Sequence, residues 1–219
     1  MKAPSAGELI AGSGSHALIV GRRPAYFSGK RILDVGARDD VFTRAAGQAR
    51  RVFGVDLYYA ERGSSLVADA QRGLPFGDRA FDTVVALEIL EHTDRPIAAL
   101  DEILRVADRH CVISLPNMYQ FSYRLRVLRG QPISGKYWLT TETAAGRADR
   151  HKWFFTPGEA LRLVRAEASA RGFELEDWCW IAAQSSRWPL RVWYRWAVGA
   201  QRTRELCAAT IVFYLVRRA

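Results

Sequence analysis

Arg31-Ile32-Leu33-Asp34-Val35-Gly36-Ala37-Arg38-Asp39-Asp40 is the stretch on which the fold turns. A short apolar run meets an acid, then Gly36, then a turn into a helix. That is the pattern of a buried parallel strand that ends in a ligand-binding turn. About twenty residues on, Val52-Phe53-Gly54-Val55-Asp56 repeats the theme, at the spacing of an acid that meets a ribose at the next strand tip. The pair predicts a nucleoside-bearing cofactor.

The same two-beat pattern continues outward. Strands are predicted over 31–35, 51–55, 65–68, 81–87, 110–115, 173–183 and 210–216. Helical periods fall between them, from Asp39 or Asp40 to Gln48 and over 94–107. The second carries Ile97, Leu100, Ile103, Leu104 and Ala107 on one face, with Asp94 as its cap and Pro96 in its first turn. Thr156-Pro157-Gly158-Glu159 is a capping box with Pro at the first helical position, and the helix it starts stops at Gly172. Strands that are apolar on both faces and alternate with helices predict an α/β fold, a doubly wound and mostly parallel seven-stranded sheet. Residues 1–219 read as a single domain. Residues 1–30 form an N-terminal arm, loose except for the apolar Ala17-Leu18-Ile19-Val20. Two segments break the alternation. Residues 117–152 hold a basic, apolar helix (119–130) and a long polar loop, and 187–205 place Leu190, Trp193, Trp196 and Ala197 opposite Arg191, Arg195 and Arg202.

The net charge is +9, and only four of the 32 basic residues are Lys. An Arg-rich, well-solvated surface and an anionic partner explain this equally well. Cys111, Cys179 and Cys207 all lie in apolar runs, as small core residues in a reducing compartment do. No CxxC, HExxH or clustered His/Cys spacing occurs, so no metal is expected. The N-terminus has no charged-then-apolar signal, and the longest apolar stretch, Leu206 to Val216, is too short to span a bilayer. The expected location is the cytoplasm, with the 187–205 face suited to the inner surface of an anionic membrane.

The turn itself narrows the cofactor. A dinucleotide needs Gly-x-Gly-x-x-Gly so that the backbone can approach a pyrophosphate. Only Gly36 is present; Arg38 and Val41 occupy the other two places, and Asp39 and Asp40 would repel phosphate. No Gly-x-x-x-x-Gly-Lys-Ser/Thr loop exists either. Acids at several strand tips suit S-adenosylmethionine, a ribose diol and a sulfonium cation without phosphate.

Four segments in order make the chain resemble the class I S-adenosylmethionine-dependent methyltransferases, of the small-molecule and biosynthetic type. They are Ile32–Gly36, Val55-Asp56, Val67–Ala70 with Leu74-Pro75-Phe76 and Phe81–Val85, and Ala86–His92. His151–Thr156 and Gly172-Phe173 are similar as well. The resemblance covers about residues 30–183. It implies that Asp34 and Gly36 line the methionine end of the cofactor. Asp56, followed by Leu57, would take the ribose hydroxyls, Asp69 and the backbone of Ala70 the adenine edge, and Leu87 and Glu88 would sit near the sulfonium. It also implies a last strand inserted antiparallel between the two before it. Arg38 departs from the family, which usually has a second Gly there, and Asp40 stands where a third is common. Arg38 either crowds the cofactor or pairs with its carboxylate, and pairing is the expectation.

Methyl transfer to oxygen calls for a base, and His151, His92 and Asp149 are of the right type. Asp82 and His110, at strand starts, are expected to be structural. The Asn/Asp-Pro-Pro-aromatic signature of base and glutamine amino-methylation is absent, as is a Pro-Cys nucleophile. Nucleic acid is therefore disfavoured as a partner. A small-molecule or lipid- or nucleotide-linked sugar acceptor, with apolar and anionic parts, is the leading expectation. An RNA-directed methyltransferase and a non-catalytic binding protein of the same fold are the alternatives.

Overall fold

The computed structural model describes residues 6–10, 14–28, 31–38, 41–47, 51–58, 65–131, 133, 150–183 and 204–218. Eight strands form one sheet: β1 (Glu8–Ile10), β2 (Arg31–Val35), β3 (Arg51–Asp56), β4 (Leu66–Val67), β5 (Phe81–Leu87), β6 (Ala107–Pro116), β7 (Phe173–Ala182) and β8 (Ala208–Arg217). Their order is β1-β7-β8-β6-β5-β2-β3-β4. All neighbours are parallel except β8, which runs antiparallel between β6 and β7. The helices are α1 (Ser15–Arg22), α2 (Val41–Ala46), α3 (Pro96–Val106), α4 (Phe121–Leu128), α5 (Pro157–Ala170) and the short α6 (Arg204–Cys207).

The central strands are apolar on both sides because both sides are covered. Register sorts the side chains into rows. Leu33, Val84, Cys111 and Leu215 are partners across four strands and face the core beneath α3 and α5, with Leu100, Ile103, Ala160 and Val164. One residue along, Val85, Val112 and Tyr214 form the next row and face the opposite core, with Ile19 of α1 and Phe42 of α2. The expected capping box is present in both directions, Thr156 Oγ1 accepting from Glu159 N and the Glu159 carboxylate from Thr156 N.

Three expectations need correction. The sheet has eight strands, not seven, and the N-terminal arm is not loose. Residues 8–10 add an edge strand to β7, and Gly7 N donates to Trp178 O at 2.7 Å. A three-residue strand is too short to show a period of two. Its attachment is tertiary: the ladder to β7 is joined by Arg22 of α1, which reaches Glu8 of β1 at 3.3 Å while clasping the buried Asp177 of β7. Second, Asp94 does not cap α3. The N-cap is Arg95, without a side-chain cap, and Gln71 Oε1 accepts from the backbone N–H groups of Asp94 and Arg95 at 2.6 and 3.0 Å. A remote amide thus anchors the two residues that lead into the helix, and Asp94 pairs with Lys152 Nζ at 2.7 Å. Third, Ile97 lies on the exposed side of α3, and Ala99 and Val106 are among its buried residues instead. Asp149, the 134–149 loop and most of the 187–205 segment lie outside the described residues.

Candidate functional site

From β2 the chain steps outward to β3 and β4, then returns to place β5 on the other flank of β2. The strand order therefore reverses between β2 and β5, and crevices open at the carboxyl ends of strands at such a point. A cleft lies there. It encloses about 580 Å³ including its open mouth, and its walls carry Gly36, Arg38, Asp56, Leu57, Tyr58, Asp69, Ala70, Gln71, Ile89, His92 and Thr93.

Each wall has a local cause. Gly36 and Ala37 both donate to Val55 O, at 2.6 and 3.1 Å, which folds the end of β2 against β3. Gly36 has φ of 88°, a left-handed conformation open to glycine at little cost. Asp56 ends β3 and is largely buried, and its Oδ1 accepts from Tyr58 N at 3.0 Å. Asp69 is held by its own turn: Oδ1 accepts from Gln71 N and Nε2 at 2.9 and 3.1 Å, and Arg72 pairs with Oδ2 at 3.4 Å. Arg105 fixes the following loop by donating to the carbonyls of Leu74 and Phe76.

Asp34, Leu87 and Glu88 stand at the same strand ends but do not line this cleft. Asp34 is buried at the tip of β2. Glu88 has φ of 55°, unusual for a residue with a side chain; its N–H reaches Ser114 O and Oγ at 3.1 Å, and its Oε1 accepts from Thr210 at 2.6 Å. Backbone strain of this kind concentrates at functional sites. Arg38 is exposed on the cleft wall, with its N–H to Gly36 O. Asp82 and His110 are structural here. Asp82 accepts from Arg31 at the far end of the sheet, and His110 stacks on Tyr26 with ring centroids 4.1 Å apart.

His92 and His151, 59 positions apart, come together with ring centroids 4.6 Å apart and planes at 86°. Two segments are stapled to achieve this. Lys152 N donates to Glu91 O at 2.7 Å, and Trp153 Nε1 donates to Thr93 O at 2.7 Å. His92 Nδ1 lies 3.1 Å from Arg150 O. A carbonyl can only accept, so Nδ1 is the donor in this contact, and Nε2 is the ring nitrogen turned toward Glu91. Nε2 lies 3.9 Å from Glu91 Oε1. Ligand atoms of Glu91, His92 and His151 all fall within 4.8 Å of one another. Glu91 has 0% exposure, and sequence reasoning missed it. Adjacent Glu-His residues followed by a distant His match no fixed spacing. Only the staple between the 90–93 turn and the 150–153 segment unites them.

The comparisons with known proteins agree with this architecture. A family model described as a methyltransferase domain matches residues 17–176, well over half of the chain. Among solved structures, magnesium protoporphyrin IX methyltransferase from Synechocystis PCC 6803, with bound SAH, is 15% identical and has a TM-score of 0.57, with 93% of this chain and 82% of that one covered. The plantazolicin methyltransferase BamL, in complex with a triazolic desmethylPZN analog and SAH, is 14% identical with a TM-score of 0.60, over 94% and 86% of the two chains. The [4+2]-cyclase SpnF, at 19% identity and a TM-score of 0.58 over 93% and 80%, shares the fold as well. No curated protein matches the chain. The family model, the reversed strand order at β2 and the antiparallel β8 agree, and the chain belongs to the methyltransferase domain family.

Proposed function

We propose that the protein transfers a methyl group from S-adenosylmethionine to a hydroxyl oxygen of a small-molecule or lipid- or nucleotide-linked sugar acceptor. The observation that carries this reading is the cleft at the strand-order reversal, lined by Gly36, Asp56 and Asp69. In this reading Asp56 receives the ribose diol, Asp69 and Ala70 meet the adenine, and Arg38 pairs with the cofactor carboxylate. Aligning the acceptor oxygen with the sulfonium methyl supplies much of the rate. The Glu91, His92 and His151 cluster borders the cleft through His92 and is where the acceptor proton is handled.

The acceptor has apolar and anionic parts. On α4, Val127 and Leu128 are exposed beside Arg124, Arg126 and Arg129. A second hollow lined by Pro96, Ile97, Trp153, Phe155 and Leu163 adds an apolar surface. No helix among the described residues is long and apolar enough to cross a membrane. A lipid-linked acceptor would therefore be met at a membrane surface.

Calorimetric titration with S-adenosylhomocysteine tests the cofactor assignment. Binding is expected for the native protein, weakened about ten- to a hundredfold in Asp56→Ala, from the loss of hydrogen bonds to a charged group. Absence of binding at millimolar ligand would overturn the reading.

A further inference from the structure

We propose that Glu91, His92 and His151 form a binding site for one divalent transition-metal ion, and that this ion holds and acidifies the acceptor hydroxyl. The proposal rests on the methyl-transfer reading for its role, but not for the existence of the site.

The donor set is the first argument. One carboxylate and two imidazoles, with ligand atoms within 4.8 Å, suit zinc, manganese, iron(II) or cobalt rather than calcium or magnesium, which favour oxygen. A metal about 2.1 Å from each ligand needs donors roughly 3 to 3.5 Å apart, so the three side chains would close by about 1 Å. The second argument is the outer shell. Metal-bound histidines commonly donate their other ring nitrogen to a carbonyl or carboxylate, which fixes the tautomer. His92 Nδ1 does this toward Arg150 O at 3.1 Å, leaving Nε2 facing Glu91. The third argument is burial. Glu91 is fully enclosed and His151 nearly so. In so enclosed a site a bound divalent ion would meet little competition from water, which strengthens its hold on a carboxylate and two imidazoles. The surroundings are also rigid, since the two segments are joined by the Lys152 N to Glu91 O and Trp153 Nε1 to Thr93 O hydrogen bonds.

Three protein ligands leave open positions on the ion, as catalytic metal sites require. His92 lines the cofactor cleft as well as the cluster, so the ion would sit at the cleft's edge. An acceptor hydroxyl bound there loses its proton to solvent more readily, because the ion stabilises the alkoxide. The alkoxide oxygen then attacks the sulfonium methyl carbon. A carbon–oxygen bond forms, the carbon–sulfur bond breaks with its electron pair remaining on sulfur, and the products are the methyl ether, S-adenosylhomocysteine and one proton. His92 and His151 then act as ligands rather than as bases.

Cobalt(II) tests the site without reference to turnover. The full-length protein, stripped with a chelator, is titrated with Co²⁺ while visible absorption is recorded, and S-adenosylhomocysteine binding is measured separately. One Co²⁺ per chain with d–d bands is expected, with affinity lowered at least about tenfold in Glu91→Gln and in His151→Gln. Both variants should keep S-adenosylhomocysteine binding, since neither residue lines the cofactor cleft, and that binding certifies their fold. Native protein that binds S-adenosylhomocysteine but gives no Co²⁺ spectrum overturns the metal site alone. A spectrum that persists unchanged in both variants overturns it too. Co²⁺ binding without S-adenosylhomocysteine binding leaves the metal site standing and removes the methyl-transfer reading.

Discussion

A β-carbon placed on Gly36 would lie 1.9 Å from Cδ1 of Ile89, so the turn after β2 packs directly against the second residue beyond β5. No side chain fits there unless Ile89 moves. Gly36→Ala also forces alanine into a left-handed φ, which costs about 1–2 kcal/mol. Because Ile89 is itself a wall of the cleft, the variant should lose both stability and ligand affinity. Denaturant melts together with S-adenosylhomocysteine titration check this. Native-like values for both would show that Ile89 rotates away freely.

Asp177 should be among the most costly positions to alter outside the site. Its carboxylate receives Arg22 and Arg23, and the side chains of Arg22 and Asp177 are 4% and 1% exposed. Breaking a buried pair leaves an uncompensated charge and typically costs 3–5 kcal/mol, so Asp177→Ala should lower stability by about that much. Arg22→Met with Asp177→Leu together should cost much less than the sum of the two single changes. Equilibrium urea unfolding of the four proteins supplies the cycle.

The three cysteines should be inert while the chain is folded. Burial pushes the Cys179 thiol up to about 12 and the Cys207 thiol up to about 11, and raises that of Cys111 as well. Thiolate, not thiol, is the nucleophile. Iodoacetamide at about pH 8 should therefore modify none of them in native protein and all three in denaturant. Mass spectrometry after a timed quench reads the outcome, and fast labelling of Cys179 without denaturant would contradict its burial.

Acid should weaken the fold partly through His110. Burial lowers its pKa, with the nearby Arg109 charge acting in the same direction and Glu176 and Asp82 opposing. The folded value thus lies below the unfolded one, near 6.5. The unfolded chain takes up the proton first, and the stability carried by neutral His110 is present above about pH 6.5 and lost as pH falls through the folded value. His110→Gln should flatten the stability profile over that window relative to the native protein. An unchanged slope would assign the acid sensitivity to other groups.

Legibility followed cooperativity of signal. β2 and β5 could be delimited to the residue because a mostly apolar run, interrupted by Asp34 in one and by Asp82 and Thr83 in the other, has sharp ends in Arg31, Gly36 and Glu88. The Thr156–Glu159 box was legible because both halves of its bonding are local. The misses are all nonlocal. Gln71 serves the start of α3 from 23 and 24 positions away, β1 is defined by partners at 179–181, and Glu91 acquires meaning only when His151 folds over it. Of the cleft walls, Gly36, Arg38, Asp56, Leu57, Asp69 and Ala70 were named from sequence, whereas Tyr58, Gln71, Ile89 and Thr93 were not. Motif reasoning finds strand-tip acids but not the residues that bridge them.

The antiparallel strand β8 has a consequence in time. β6 and β7 are not neighbours in the sheet, and β8 alone joins them. Until residues 208–217 are in place, the sheet is two separate pieces, each with an exposed edge of unpaired N–H and C=O groups. Open edges of this kind recruit other chains. During synthesis or refolding, the interval before β8 docks is when this protein is most exposed to aggregation, even though the cofactor cleft is built on the larger piece, at the ends of β2, β3, β4 and β5, and could already be formed.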